Sequence, residues 1–152
     1  PEEVPYSGRL AYVNSKLCNL FFAYELGRRL ADRGLSTPDR PVTVNTFEPG
    51  LVPGSGLARD YSRVAQFIWY RILPVLTLFT SKVNTADDAG RALANLVLEP
   101  ELERSSGKYF PSHTKFQQAP SSVESYDPEE ARKLWETSVT LSGLSVGDSP
   151  LL

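Results

Sequence analysis

Methionine is absent from the 152 residues, and cysteine and histidine occur once each, as Cys18 and His113. A single cysteine cannot close an internal disulfide, so nothing points to an oxidising compartment. A cytoplasmic location is expected, with peripheral attachment to a membrane as the variant. His113 sits in a polar loop with no second ligand near it in the sequence, so no metal site is expected. Neither sign of charge dominates: 16 Lys and Arg stand against 18 Asp and Glu. Without a basic run the chain lacks the electrostatic footprint of a nucleic-acid binder. Long apolar runs are missing too. The richest stretch, residues 57–80, is interrupted by Arg71 and Pro74 and falls well short of the ~20 apolar residues a membrane span needs. The opening residues 1–8 are acidic and have no apolar signal-peptide core. No methionine anywhere and a start in a Pro/Gly-rich loop predict a fragment or a processed piece.

What is present reads as alternating helix and strand, punctuated by 12 prolines and 10 glycines. From Arg9 to Arg33, Leu10, Val13, Leu17, Leu20, Phe21 and Tyr24 recur at helical spacing. Phe22, Leu26 and Leu30 widen that face, predicting a helix buried on more than one side, with Gly34 as its stop. Val42–Phe47 is rich in β-branched residues and reads as a strand. It runs into a Gly- and Pro-dense loop at 48–56, where backbone could approach a ligand closely. Residues 57–80, with Phe67, Trp69 and Tyr70, predict a helical lid or an interfacial helix. Asn84 or Thr85 can cap a helix ending before Pro100, with Asp87 and Asp88 placed to suit its dipole. Residues 106–110 suggest a short strand, 111–124 a polar loop. Asp127-Pro128 with Glu129 and Glu130 opens a last helix, and the tail after it is expected to be loose. This order suggests part of an α/β parallel sheet. Two strands against several helices make a poor core, again as expected of half a domain.

Chemistry concentrates on Tyr12 and Lys16, four residues apart and so on one helix face. A phenol normally gives up its proton near pH ~10. A lysine ammonium beside it stabilises the phenolate and lowers that value, which makes the tyrosine usable as an acid or base. By itself the spacing also fits a surface lysine beside a half-buried tyrosine. The context is more specific. Ala11-Tyr-Val-Asn-Ser-Lys-Leu-Cys-Asn-Leu20, then Val42-Thr-Val-Asn, then Pro49-Gly50, resembles the second half of the short-chain dehydrogenase/reductase family. Ser106-Gly-Lys-Tyr-Phe110 and Ala131-Arg-Lys-Leu-Trp-Glu-Thr-Ser138 resemble that family's retinol dehydrogenase and protochlorophyllide reductase branch. Almost the whole chain is covered.

The resemblance implies the fold class α/β, as the C-terminal half of a Rossmann-type doubly wound parallel sheet domain. Residues 1–144 would be the catalytic half, with 57–80 a substrate lid, 145–152 a tail, and the N-terminal cofactor-binding half absent. It implies an NAD(P)-dependent oxidoreductase interconverting a carbonyl and an alcohol, with NADP as the cofactor and NAD as the alternative. Tyr12 would be the acid/base. Lys16 would lower its pKa and bond the nicotinamide ribose. Pro49, Gly50, Leu51, Val52 and Ser55 would complete the cofactor contacts, the backbone of Leu51 and Val52 facing the carboxamide. Phe67, Trp69 and Tyr70 would meet a bulky apolar small-molecule substrate. A homodimer or tetramer through the helix at 10–30 is also implied.

Several family features fall outside or differ. No glycine-rich phosphate loop follows a strand, and the family's catalytic serine and relay asparagine would lie upstream, so the piece alone is expected neither to hold the whole cofactor nor to turn over. Gly54 stands where many members carry a threonine. Leu51, which cannot donate a proton, stands where protochlorophyllide reductases place a cysteine, although Cys18 matches that branch's other one. A generic carbonyl/alcohol oxidoreductase is therefore preferred over the light-driven enzyme. The remaining alternative is a non-catalytic fragment acting as an interaction module.

Overall fold

A 25-residue helix, α1 (Gly8–Asp32), opens the computed structural model of the chain, which describes residues 5–53, 55–59, 61–76, 79, 80 and 82–152, with Leu57 and Leu76 described by backbone only. Ser7 caps α1, its hydroxyl oxygen accepting the Leu10 N–H at 3.4 Å. No acidic residue occupies the first turn to meet the dipole. At the other end Gly34 takes φ 64°, the left-handed geometry that lets a helix stop. The chain divides into two compact units, Pro1–Val44 with Ser121–Leu152, and Asn45–Pro120.

In the first unit α1 packs on α5 (Pro128–Ser142). The capping predicted for α5 is realised: the Asp127 carboxylate accepts the N–H groups of Glu129 and Glu130 at 2.9 and 3.2 Å, and Pro128 takes the first helical position, where its missing N–H costs nothing. Trp135 is the centre of the contact. Its ring stacks on Phe22 at 5.6 Å and lies 4.7 Å from the Arg29 guanidinium. Glu25 is buried beside it. That burial is tolerated because Arg28 and Arg29 take both of its carboxylate oxygens, at 2.8 and 2.7 Å.

Two expectations need correction here. The helix is not buried on more than one side: only Phe21 and Glu25 of α1 are buried, and Leu10, Tyr12 and Val13 are about half exposed. The apolar pattern is right, but the ring contacts with α5 and the turn at 123–126 fall on Phe22, Tyr24 and Arg29, and residues 8–16 stay exposed. The tail is not loose either. Arg29 donates to the Leu151 backbone oxygen at 2.9 Å, and Arg33 to those of Pro150 and Leu152 at 3.2 and 2.7 Å.

The second unit holds a parallel pair, β1 (Thr46–Glu48) and β2 (Tyr109–Pro111), in the register Thr46 to Tyr109. Between them in sequence come the helical turns Arg63–Phe67 (α2) and Leu73–Leu76 (α3), joined by a wider π-turn at Ile68–Ile72, and then α4 (Ala86–Leu98). A parallel pair requires such a long crossover. This mixed arrangement is compatible with the α/β class. β1 is shorter than the β-branched run at 42–47. Asn45 ends the ladder, its side chain bonding the Ser105 carbonyl and the Lys108 N–H at 2.8 and 3.0 Å. The unit's core contains Ala58, Trp69, Val83, Ala89 and Phe110. Burying a side chain such as Phe110 contributes roughly 1.5–3 kcal/mol. Of the two expected caps, Asn84 or Thr85, it is Thr85 that caps α4, accepting from the Asp88 N–H at 3.0 Å. No helix among the described residues is long and apolar enough to cross a membrane.

Candidate active site

Helical geometry brings Tyr12 and Lys16 together on the exposed part of α1. The Lys16 ammonium lies 5.3 Å from the centroid of the Tyr12 ring, within the range in which a cation is attracted to an aromatic face. Between them Ser15 donates its hydroxyl to the Tyr12 carbonyl at 2.7 Å. That bond is internal to the helix, so it shapes the backbone and leaves the phenol alone. The Tyr12 hydroxyl makes no hydrogen bond among the described residues. Both reactive groups are therefore open to a ligand.

A second phenol pair, further along the same unit, behaves differently. Tyr24 stacks on Tyr126 at 5.4 Å and its hydroxyl shares a hydrogen bond with Ser121 at 2.7 Å. Burial pushes the Tyr24 phenol up, while bonds from the Ser121 hydroxyl and N–H hold that of Tyr126 down. Ser121 also bonds the buried Ser125 hydroxyl at 2.6 Å. These groups satisfy one another and pack the join between α1 and the 123–126 turn. Periodicity marks Tyr24 as apolar-face but gives no sign of its polar partners, which lie far along the chain.

In the second unit the loop after β1 is bound from one side by residues 82–84. Leu51 donates its N–H to the Lys82 carbonyl at 2.9 Å, and its own carbonyl accepts the Asn84 N–H at 2.9 Å. The Asn84 side-chain amide donates to the Pro49 carbonyl at 2.8 Å. Gly50 adopts φ 73°, and a Cβ there would collide with the Ser112 hydroxyl and come within 2.7 Å of the Lys82 carbonyl and 3.1 Å of the Asn84 amide. The missing side chain of Gly50 thus makes room for the protein's own atoms. Pro49 and Leu51 have likewise committed their carbonyls inward. The Val52 N–H donates to nothing among the described residues, while its carbonyl accepts the Ser55 N–H at 3.2 Å. Ser55 is exposed. Gly54 lies outside the described residues.

The three aromatic side chains expected to meet a substrate separate. Phe67 and Tyr70 are exposed, at 61% and 42%. Trp69 is buried in the unit's core, edge-on to Tyr61 at 6.4 Å between centroids. Asp60, Thr77 and Leu78 of the 57–80 segment lie outside the described residues. Among the described residues no group of His, Cys, Asp and Glu is arranged to hold a metal ion.

Comparison with known proteins bears on the same residues. The family model of the AcuH dehydrogenase domain matches residues 57–151. The chain is 31% identical over 144 residues to protochlorophyllide reductase of Avena sativa, covering 92% of this chain and 42% of that protein. It is 32% identical over 145 residues to the chloroplastic enzyme of Cucumis sativus, covering 92% and 33%, and 31% identical over 142 residues to that of Marchantia paleacea, covering 91% and 29%. The chain therefore spans less than half the length of these relatives.

Proposed function

The chain belongs to the AcuH dehydrogenase domain family, among the short-chain dehydrogenases/reductases, and from that premise we propose that it is the catalytic C-terminal half of an NADP(H)-dependent oxidoreductase with a Rossmann-type sheet. The substrate would be a bulky apolar carbonyl or alcohol. The observation that carries this reading is the Tyr12–Lys16 pair, with the lysine 5.3 Å from the ring centroid and the phenol unspent. When bound, the nicotinamide supplies or takes up the hydride. Tyr12 donates a proton to the oxygen of the reduced carbonyl, or accepts one from the alcohol in the reverse direction. The Lys16 ammonium stabilises the negative charge left on the phenolate oxygen and can bond the ribose hydroxyls.

The residues present fit the nicotinamide end of such a cofactor. With Leu51 committed to Lys82 and Asn84, the Val52 N–H is a donor free to meet the carboxamide, with the Ser55 hydroxyl nearby in sequence. Phe67 and Tyr70 offer exposed apolar area to a substrate, while Trp69 is buried in the core. Assembly into a dimer or tetramer through the exposed part of α1, and a cytoplasmic or membrane-peripheral location, belong to the same proposal.

The test is turnover by the full-length protein with NADPH and a panel of retinoid, steroid and aliphatic carbonyls. Tyr12→Phe should lower kcat by roughly 10²–10⁴-fold while leaving NADPH binding in place; undiminished turnover would remove Tyr12 from the chemistry. Light-driven reduction of protochlorophyllide is the second reading, favoured by the relatives' names. Leu51 argues against it, since its side chain holds no proton to deliver. Illumination with that pigment in the same assay separates the two.

A further inference from the structure

Asn84 is not part of the motif resemblance, and the sequence suggests for it only a helix cap. Thr85 takes that role instead, which leaves Asn84 to act on the loop that follows β1. Its side-chain amide donates to the Pro49 carbonyl at 2.8 Å and its backbone N–H to the Leu51 carbonyl at 2.9 Å. One residue therefore grips the loop on both sides of Gly50. The third bond, Leu51 N–H to the Lys82 carbonyl at 2.9 Å, closes the clamp from the residue two before it.

The clamp leaves the loop little freedom. Gly50 sits at φ 73°, pressed between the Ser112 hydroxyl, the Lys82 carbonyl and the Asn84 amide. Ser112 is itself buried, at 2% exposure, so Gly50 cannot retreat in that direction. Pro49 has no N–H and a fixed φ, and its carbonyl is pointed by the Asn84 amide. With residues 49–51 fixed, the direction of the next peptide, which carries the unspent Val52 N–H, is fixed as well. An amide donor aimed in advance at its acceptor spares the ligand the cost of ordering the loop.

We propose that Asn84 is a positioning residue for nicotinamide: by clamping Pro49 and Leu51 it aims the Val52 N–H at the cofactor's carboxamide. This rests on the reading of the 49–52 loop as the nicotinamide contact. Asn84 touches neither cofactor nor substrate in this role. It acts through Val52, so its loss weakens recognition of the nicotinamide end and spares the adenine end.

The experiment compares two ligands on the full-length protein by titration calorimetry. NADPH carries the nicotinamide; adenosine 2′,5′-bisphosphate carries the adenine end alone. Asn84→Asp keeps the side chain's size but places an oxygen where the donor was, against the Pro49 carbonyl; Asn84→Ala removes the group altogether. Each variant should weaken NADPH by about tenfold, the loss of one buried hydrogen bond, and leave the bisphosphate within about twofold of wild type. KM for NADPH should rise more than kcat falls. Equal weakening of both ligands would mean general damage, and unchanged NADPH affinity would mean that the clamp is idle; either result overturns the proposal. If the wild-type protein bound the bisphosphate but gained nothing from the nicotinamide, the parent reading of the loop would fall first.

Discussion

The Tyr12–Lys16 pair and the Pro49–Val52 loop are held by opposite means. Tyr12 and Lys16 meet because a helix puts residues four apart on one face, and nothing else among the described residues holds the two reactive groups. The loop is held by bonds to Lys82 and Asn84, the latter 35 positions from Pro49. The first arrangement is local and tolerant of its surroundings; the second exists only when distant segments have come together. A reacting group that must move a proton gains from being uncommitted. A backbone donor that must sit at one angle gains from being clamped.

The contrast can be broken or sharpened in three ways. The largest effect is expected away from both regions, in the packing of α1. Trp135→Ala removes the ring against which Phe22 and Arg29 lie and should cost about 3–5 kcal/mol, seen as a lower urea midpoint. Amide exchange should rise steeply over residues 21–29 and much less over 12–16. Equal rises would show that the Tyr12–Lys16 pair also depends on tertiary packing. Gly50→Ala comes next. Strain at positive φ costs about 1–3 kcal/mol and the collision with Lys82 and Ser112 adds to it, so the Leu51 and Asn84 amides should lose exchange protection together. Protection retained at both would contradict the clamp. The smallest effect is that of Ala11→Gly, in the exposed part of α1. It should cost about 1 kcal/mol, a roughly fivefold faster exchange of the Tyr12–Lys16 amides, with a matching small drop in turnover by the full-length protein. A complete loss would mean that the pair is held more tightly than by helix geometry.

The helices were legible because their signals are local. Thr85 and Asp127 cap where short-range chemistry places them, and α4 ends before Pro100 as its φ restriction requires. The strand at 42–47 was read too long. β-branched residues announce extended backbone, but a ladder exists only where a partner lies alongside, and β2 reaches Thr46–Glu48 alone. The burial of α1 was overread for a related reason: an apolar stripe states what a helix would cover, not whether a neighbour arrives. In the tail, neither Arg29 nor Arg33 announces that its guanidinium will hold the backbone of residues 150–152.

By itself, then, the order of residues determined the helix that pairs Tyr12 with Lys16, the caps, and the family resemblance carried by Pro49-Gly50 and the downstream segments. Each depends on neighbours within a turn or on motif identity. Only the tertiary structure decided that Gly50 is needed for internal packing, that Leu51 is committed through both its N–H and its carbonyl while the Val52 N–H is not, that Trp69 turns inward between the exposed Phe67 and Tyr70, and that Asn84 grips the loop. Those are hydrogen bonds and contacts between residues far apart in the chain, and no spacing rule links such residues until the fold sets them side by side.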